Sequence, residues 1–81
     1  MKARVHVFLK KGVLDPQGKA VAGSLKTLGF NEVASVRQGK FFDIETSDIK
    51  DVSAEERLKE YCDKLLANPI IEDYRVEVIE K

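Results

Sequence analysis

Between Lys10 and Ala20 the chain must stop being a strand and become a helix, and the residues it uses there leave little freedom. Ahead of the junction, Ala3, Val5, Val7 and Leu9 alternate with Arg4, His6 and Phe8, the period-two pattern of a half-buried strand. Lys10-Lys11-Gly12 ends it. Asp15-Pro16 reads as a helix start: the aspartate can accept the free N–H groups of the first turn, and proline suits the first helical position, where no N–H is needed. Val21, Leu25 and Leu28 then recur at i, i+4 and i+7, with Ala22 beside them, so a helix over about residues 16–28 is expected to pack one apolar face inward. Gly29 supplies a left-handed stop, and Phe30 can fold back on the last turn.

The rest of the chain alternates the same two periods. Val33, Val36, Phe41, Phe42, Ile44 and Thr46 make residues 33–46 a β region, read either as a hairpin of 32–37 with 40–46 about Gln38-Gly39 or as one long strand bent at Gly39. Ser53-Ala54-Glu55-Glu56 is a capping box, followed by Leu58, Tyr61, Cys62 and Leu65 on one helical face, with Leu66 adjoining. Pro69 biases Asn68 out of helical geometry, so this helix should end near Ala67. Tyr74, Val76 and Val78 alternate with Arg75, Glu77 and Ile79 in a last strand. The expected fold is α+β: a two-layer sandwich of order β-α-β-β-α-β, or β-α-β-α-β if the middle strand is continuous. An antiparallel sheet would carry two helices on one face, in a single domain spanning residues 1–81.

A chain of 81 residues buries only about 60% of its unfolded surface, which favours a binding module or a subunit over an enzyme with its own deep cleft. Fourteen basic and fourteen acidic side chains cancel, so nothing in the balance points to nucleic acid or an anionic membrane. Cys62 is the only cysteine, and the N-terminal residues lack the apolar core of a signal peptide. No run reaches the roughly 20 apolar residues of a membrane-spanning helix. A cytoplasmic location is expected.

Each candidate for chemistry has a plainer reading. Gly12 to Ala20 resembles the phosphate loop G-x-x-x-x-G-K-[ST], but five residues separate the glycines and Ala20 stands where a hydroxyl would hold magnesium. Asp15 would also compete with a phosphate for the same N–H donors. His6, the only histidine, has no sequence motif around it for a triad or a metal site, and Cys62 sits on an apolar stripe as a small core residue. Glu55-Glu56 falls in a first helical turn, where negative charge is stabilising, and Glu72-Asp73 falls in a turn before the last strand. The stronger signal is apolar. If Val5, Val7, Leu9, Tyr74, Val76 and Val78 face the helices, then Phe8, Ile79 and one of Phe41 and Phe42 face away, a patch that calls for a symmetric partner. Gly18 in a first helical turn costs about 1 kcal/mol relative to alanine, so something should pack closely there, with a partner's backbone as the expectation.

Four stretches together carry a family resemblance. Val5 to Gly18 reads V-x-V-x-L-K-x-G-V-L-D-P-Q-G; the others are Leu28-Gly29-Phe30, Val36-Arg37-Gln38-Gly39-Lys40 and the run from Leu65 to Tyr74, L-L-A-N-P-I-I-E-D-Y. Over essentially its whole length the chain resembles the small PurS-type subunit of phosphoribosylformylglycinamidine synthase. The resemblance implies a non-catalytic part of a ligase complex of purine biosynthesis. That complex converts formylglycinamide ribonucleotide, glutamine and ATP into formylglycinamidine ribonucleotide, ADP, phosphate and glutamate. It further implies a glutaminase subunit that releases ammonia, a large synthetase subunit that binds ATP and magnesium, and a small subunit that joins them and assists ammonia transfer. The small subunit is implied to form dimers that can associate further, with no catalytic, cofactor or metal residue of its own. A free-standing dimeric regulatory domain that binds a small molecule is the alternative, and it would need the Gly12–Gly18 donors for its ligand.

Overall fold

Val5 stands opposite Phe42 on one side and Val76 on the other, and this row fixes the sheet. The computed structural model describes residues 1–80. Strands β1 (Lys2–Leu9), β2 (Gly39–Glu45) and β3 (Glu72–Glu80) form an antiparallel sheet in the order β2-β1-β3. Helix α1 (Pro16–Thr27) joins β1 to β2, and α2 (Ala54–Tyr61), prolonged by one π turn at Cys62–Leu66, joins β2 to β3. The class is α+β, as the alternation of periods leads one to expect.

The register separates two faces. Ala3, Val5 and Val7 are buried and share their face with Phe42, Ile44, Tyr74, Val76 and Val78. Leu58 and Cys62 close over them from α2 and its π turn, with Ala67 completing the core. A bulge at Lys2 and Ala3 leaves Ile79 without an opposite residue on β1.

Two expectations need correction. Residues 33–38 form no strand, so there is no middle hairpin; the order is the alternative β-α-β-α-β, with a middle strand that begins only at Gly39. The reversal at Gln38-Gly39 is prevented by Asp15, whose Oδ2 accepts the Gln38 N–H at 2.8 Å and pins the chain straight into β2. The second correction concerns α1. Its apolar face does not pack on the sheet, none of its residues joins the core, and Gly18 is its only buried residue. One helix, not two, covers the inner face. Helix α1 and the returning segment 28–38 project as an arm, giving a molecule of 52 × 26 × 14 Å. The radius of gyration is 16.2 Å, where a compact chain of this length would have about 12 Å.

The ends of both helices follow their local chemistry. Asp15 caps α1 by accepting the Gly18 N–H at 2.8 Å, with Pro16 at the first position. At the other end Gly29 has φ of 103°, Phe30 N–H reaches the Leu25 carbonyl and Gly29 N–H the Lys26 carbonyl, both at 3.0 Å. This is the Schellman arrangement, for which glycine carries no steric penalty. Ser53 Oγ accepts the Glu56 N–H at 3.1 Å at the start of α2. The π turn, closed by Ala67 N–H to the Cys62 carbonyl, widens the helix and rotates its last residues about the axis. Leu65 is thereby turned out to 82% exposure, and Leu66 takes the place on the core expected of it.

Candidate functional site

The junction that resembles a phosphate loop is a latch between two segments of the chain. Asp15 is buried, and its two carboxylate oxygens accept one N–H each: Gly18 in α1 and Gln38 ahead of β2. These backbone donors, Gln38 first and Gly18 next, hold its pKa below the ordinary carboxylate value. Arg37 clamps the same junction by donating to the carbonyls of Val13 at 3.0 Å and Lys10 at 3.2 Å, and Gln38 Nε2 donates to Gln17 Oε1 at 2.8 Å. The Gly18 donor that a phosphate would need is therefore already engaged by an internal carboxylate. That geometry also disfavours the ligand-sensing alternative, which depended on the same donors.

Gly18 is where the expected close approach occurs, but the neighbour belongs to the same chain. A Cβ there would collide with the Val36 carbonyl oxygen, and would lie 2.7 Å from Asp15 Oδ2. The return segment passes so near the helix because Asp15 draws Gln38 toward it. No partner backbone is needed to explain the glycine.

The four other residues expected at an interface divide among three places. Phe8 and Phe41 lie on the sheet face away from α2, 41% and 56% exposed. Phe41 pairs with His6, and Phe8 lies one same-face position further along β1. Phe42 points the opposite way and packs against the core. Ile79 is exposed, but it sits at the bulge beside Lys2, about 18 Å along the sheet from Phe8 at strand spacing. Antiparallel pairing places the end of β3 beside the start of β1, so the patch is not continuous. Charged groups fill the gap. The Arg4 guanidinium lies 4.5 Å from the Phe41 ring centroid while its Nε donates to Asp43 at 2.7 Å. The pair raises the Arg4 pKa and lowers that of Asp43, the hydrogen bond being the first cause in each. His6 Nε2 stands 3.9 Å from Glu77 Oε1.

The remaining candidates are structural where the structure places them. Burial, and then the neighbouring Asp63 charge, push the Cys62 thiol pKa up, which disfavours a thiolate. Glu72 and Asp73 lie not in a turn before the last strand but in β3 itself, opposite Leu9 and Phe8; Glu72 Oε1 accepts the Asn68 N–H at 2.7 Å, and Asp73 accepts from Lys10 Nζ at 2.9 Å. Among the described residues, no three His, Cys, Asp or Glu side chains gather closely enough to hold a metal ion.

Two apolar surfaces are left open that the sequence reading did not expect to be exposed. One is the α1 stripe, where Val21 is 40% and Leu28 72% exposed. The other is a groove of about 440 Å³ on the inner face, lined by Ile44 of β2 and by Arg57, Glu60, Tyr61, Lys64, Leu65 and Leu66. The amphipathic pattern identified the stripe, but carried no information about whose surface would receive it.

Comparisons with known proteins agree on one family. Residues 2–80 match the PurS family, described as phosphoribosylformylglycinamidine (FGAM) synthase. The phosphoribosylformylglycinamidine synthase subunit PurS of Bacillus subtilis is 49% identical over 79 residues, covering 98% of this chain and 93% of the relative. The subunit of the same name from Methanocaldococcus jannaschii is 44% identical over 77 residues, covering 95% and 93%. Among solved structures, Bacillus subtilis PurS superposes with a TM-score of 0.86 over 98% of both chains. A chain in the structure of PurLQS from Thermotoga maritima gives 0.82 at 30% identity, over 94% of this chain and 93% of that one. The chain belongs to the PurS family of small phosphoribosylformylglycinamidine synthase subunits.

Proposed function

We propose that this chain is the non-catalytic small subunit that joins a glutaminase to an ATP-dependent synthetase in the cytoplasm and assists ammonia transfer between them. It works by contact. ATP and magnesium belong to the large synthetase subunit, and this chain supplies no catalytic, cofactor-binding or metal-binding residue. It self-associates, with the Phe8 and Phe41 face as one contact surface. The observation that carries this reading is where the apolar side chains lie. Six apolar residues, two of them alanines, make the buried core, while ten large apolar side chains are exposed among the described residues. Such a distribution suits a protein whose surface is completed by others. The likeness to a chain of PurLQS supports it from outside.

Reconstitution tests the proposal. Separately purified glutaminase and synthetase, supplied with glutamine, should form formylglycinamidine ribonucleotide efficiently only when this chain is added. The rate with ammonia supplied directly should be indifferent to it. A glutamine-dependent rate and a complex mass that are the same without the chain would remove the reading.

A further inference from the structure

The chain is neutral overall, but its charges are segregated. The arm, residues 16–38, carries Lys19, Lys26 and Arg37 against one acid, Glu32. Residues 43–56 carry Asp43, Glu45, Asp48, Asp51, Glu55 and Glu56 against Lys50 alone. All three cations of the arm line one cleft of about 600 Å³ between α1 and the returning segment. Ala22, Gly23, Ala34 and Ser35 line it too, and their small side chains keep it open. Asp15 is the only acid of that lining, and its two oxygens are held by the Gly18 and Gln38 N–H groups. Arg37 donates to carbonyls rather than to a carboxylate. Among the described residues, neither Lys19 nor Lys26 forms an ion pair.

We propose that this cleft is the docking surface for a carboxylate-rich segment of one of the two subunits that the chain joins. This rests on the reading of the chain as a bridging subunit, and names the surface and the chemistry of one bridge. Charge complementarity sets the occupant: three cations against one internally engaged carboxylate attract an acidic surface, hasten its encounter and repel a basic one. Lys19 and Lys26 share one helical face and stand about 10 Å apart along the axis. That span matches about three residues of extended chain or about two turns of helix. A small ligand needs polar groups that converge on it, and cations spaced so far apart along an open rail do not converge. The cleft also stays available when other surfaces are covered. At about 100° per residue, Lys19 and Lys26 lie roughly 150° around α1 from Val21 and Leu28. Apolar contact along that stripe, or on the Phe8 and Phe41 face of the sheet, leaves them open.

Charge reversal tests the docking. The full chain, as wild type and as Lys19→Glu with Lys26→Glu, is titrated by sedimentation velocity against the separately purified glutaminase and synthetase, with glutamine, ATP and magnesium present. The reversal should weaken binding to one of the two by about tenfold or more and spare the other. Wild-type binding to that subunit should weaken as salt rises from about 50 mM to about 300 mM, and more steeply than binding of the variant. Lys50→Glu with Lys59→Glu makes the same charge change outside the cleft and should leave both affinities as they are. Circular dichroism monitors folding. Should the reversed chain fail to fold, Lys19→Gln with Lys26→Gln carries the test, with an expected loss of about threefold or more. Equal losses for the two subunits overturn the docking. So does an equal effect of the Lys50 and Lys59 pair, which would make net charge the cause. A fall in the mass of the chain alone on reversal overturns it in favour of the acidic 43–56 run of a second copy. A wild-type chain that binds neither subunit removes the bridging reading together with the docking, whereas a wild-type complex that reversal leaves unchanged removes the docking alone.

Discussion

Gly18 and Gly23 lie five residues apart on one helix and should respond oppositely to alanine. An added Cβ at Gly23 meets nothing within 4 Å, so Gly23→Ala should stabilise the chain by about 0.5–1 kcal/mol through helix propensity alone. At Gly18 the same atom strikes the Val36 carbonyl and the Asp15 carboxylate. Overpacking there outweighs propensity, and Gly18→Ala should cost about 1–3 kcal/mol. Urea unfolding of both variants checks the pair, and a stabilised Gly18→Ala would remove the latch as the reason for the glycine. Asp15 adds a pH signature. Its folded pKa is lowered by the Gln38 and Gly18 amides, so its contribution is complete above the unfolded value of about 3.9. That contribution is lost as pH falls through the lower folded value. Asp43, lowered by Arg4, acts in the same direction. Asp15→Asn should be less stable than wild type at neutral pH and lose less of its Tm between about pH 6 and about pH 3. Parallel Tm curves would mean that the carboxylate does not carry the latch.

At the scale of elements, what was legible in the sequence was local. Asp15-Pro16, Gly29 and Ser53 cap their helices as read, because a cap is decided by a few neighbouring atoms. The alternation of Val5, Val7, Val76 and Val78 placed the core face for the same reason. The misread elements depend on distant partners. Residues 33–38 carry the β-formers Val33 and Val36, yet Gln38 gives its N–H to an aspartate 23 positions earlier. Leu65 fits the stripe of a regular helix, and only the π turn moves it outward. Position 58 precedes that turn and should behave as an ordinary core site. Leu58 is fully buried between α2 and the sheet, and Leu58→Ala should cost about 2–5 kcal/mol. Against a total of about 4–12 kcal/mol for a domain of this length, that is a large share, and the Tm of the variant should fall by about 10 °C or more. Thermal unfolding by circular dichroism reads it directly, and a loss below about 1 kcal/mol would mean that α2 adds little to the core.

For the whole molecule, an elongated shape and a small core describe the same fact: much of the chain's apolar surface has no place within one copy. The sequence could show that Val21, Leu25 and Leu28 share a face, but periodicity is silent about whether the receiving sheet is the chain's own. Likewise it placed Phe8 and one neighbouring phenylalanine on the outer face, but pairing register was needed to choose Phe41 and to send Ile79 to the far end. The outer face that results is mixed, with Phe8 and Phe41 among Arg4, His6, Asp43, Arg75 and Glu77. Aromatic and arginine side chains together are the composition of residues that dominate binding energy when enclosed. A carboxylate in place of Phe8 would lie opposite Asp73 on β3, adding like charge to a surface that has to be desolvated on contact. Phe8→Glu should therefore shift the chain toward smaller species in analytical ultracentrifugation. Because the ring is 41% exposed and lies outside the core, the folded copy should survive the change. An unchanged sedimentation profile would exclude the Phe8 and Phe41 face from self-association, whatever α1 does on the opposite side of the sheet.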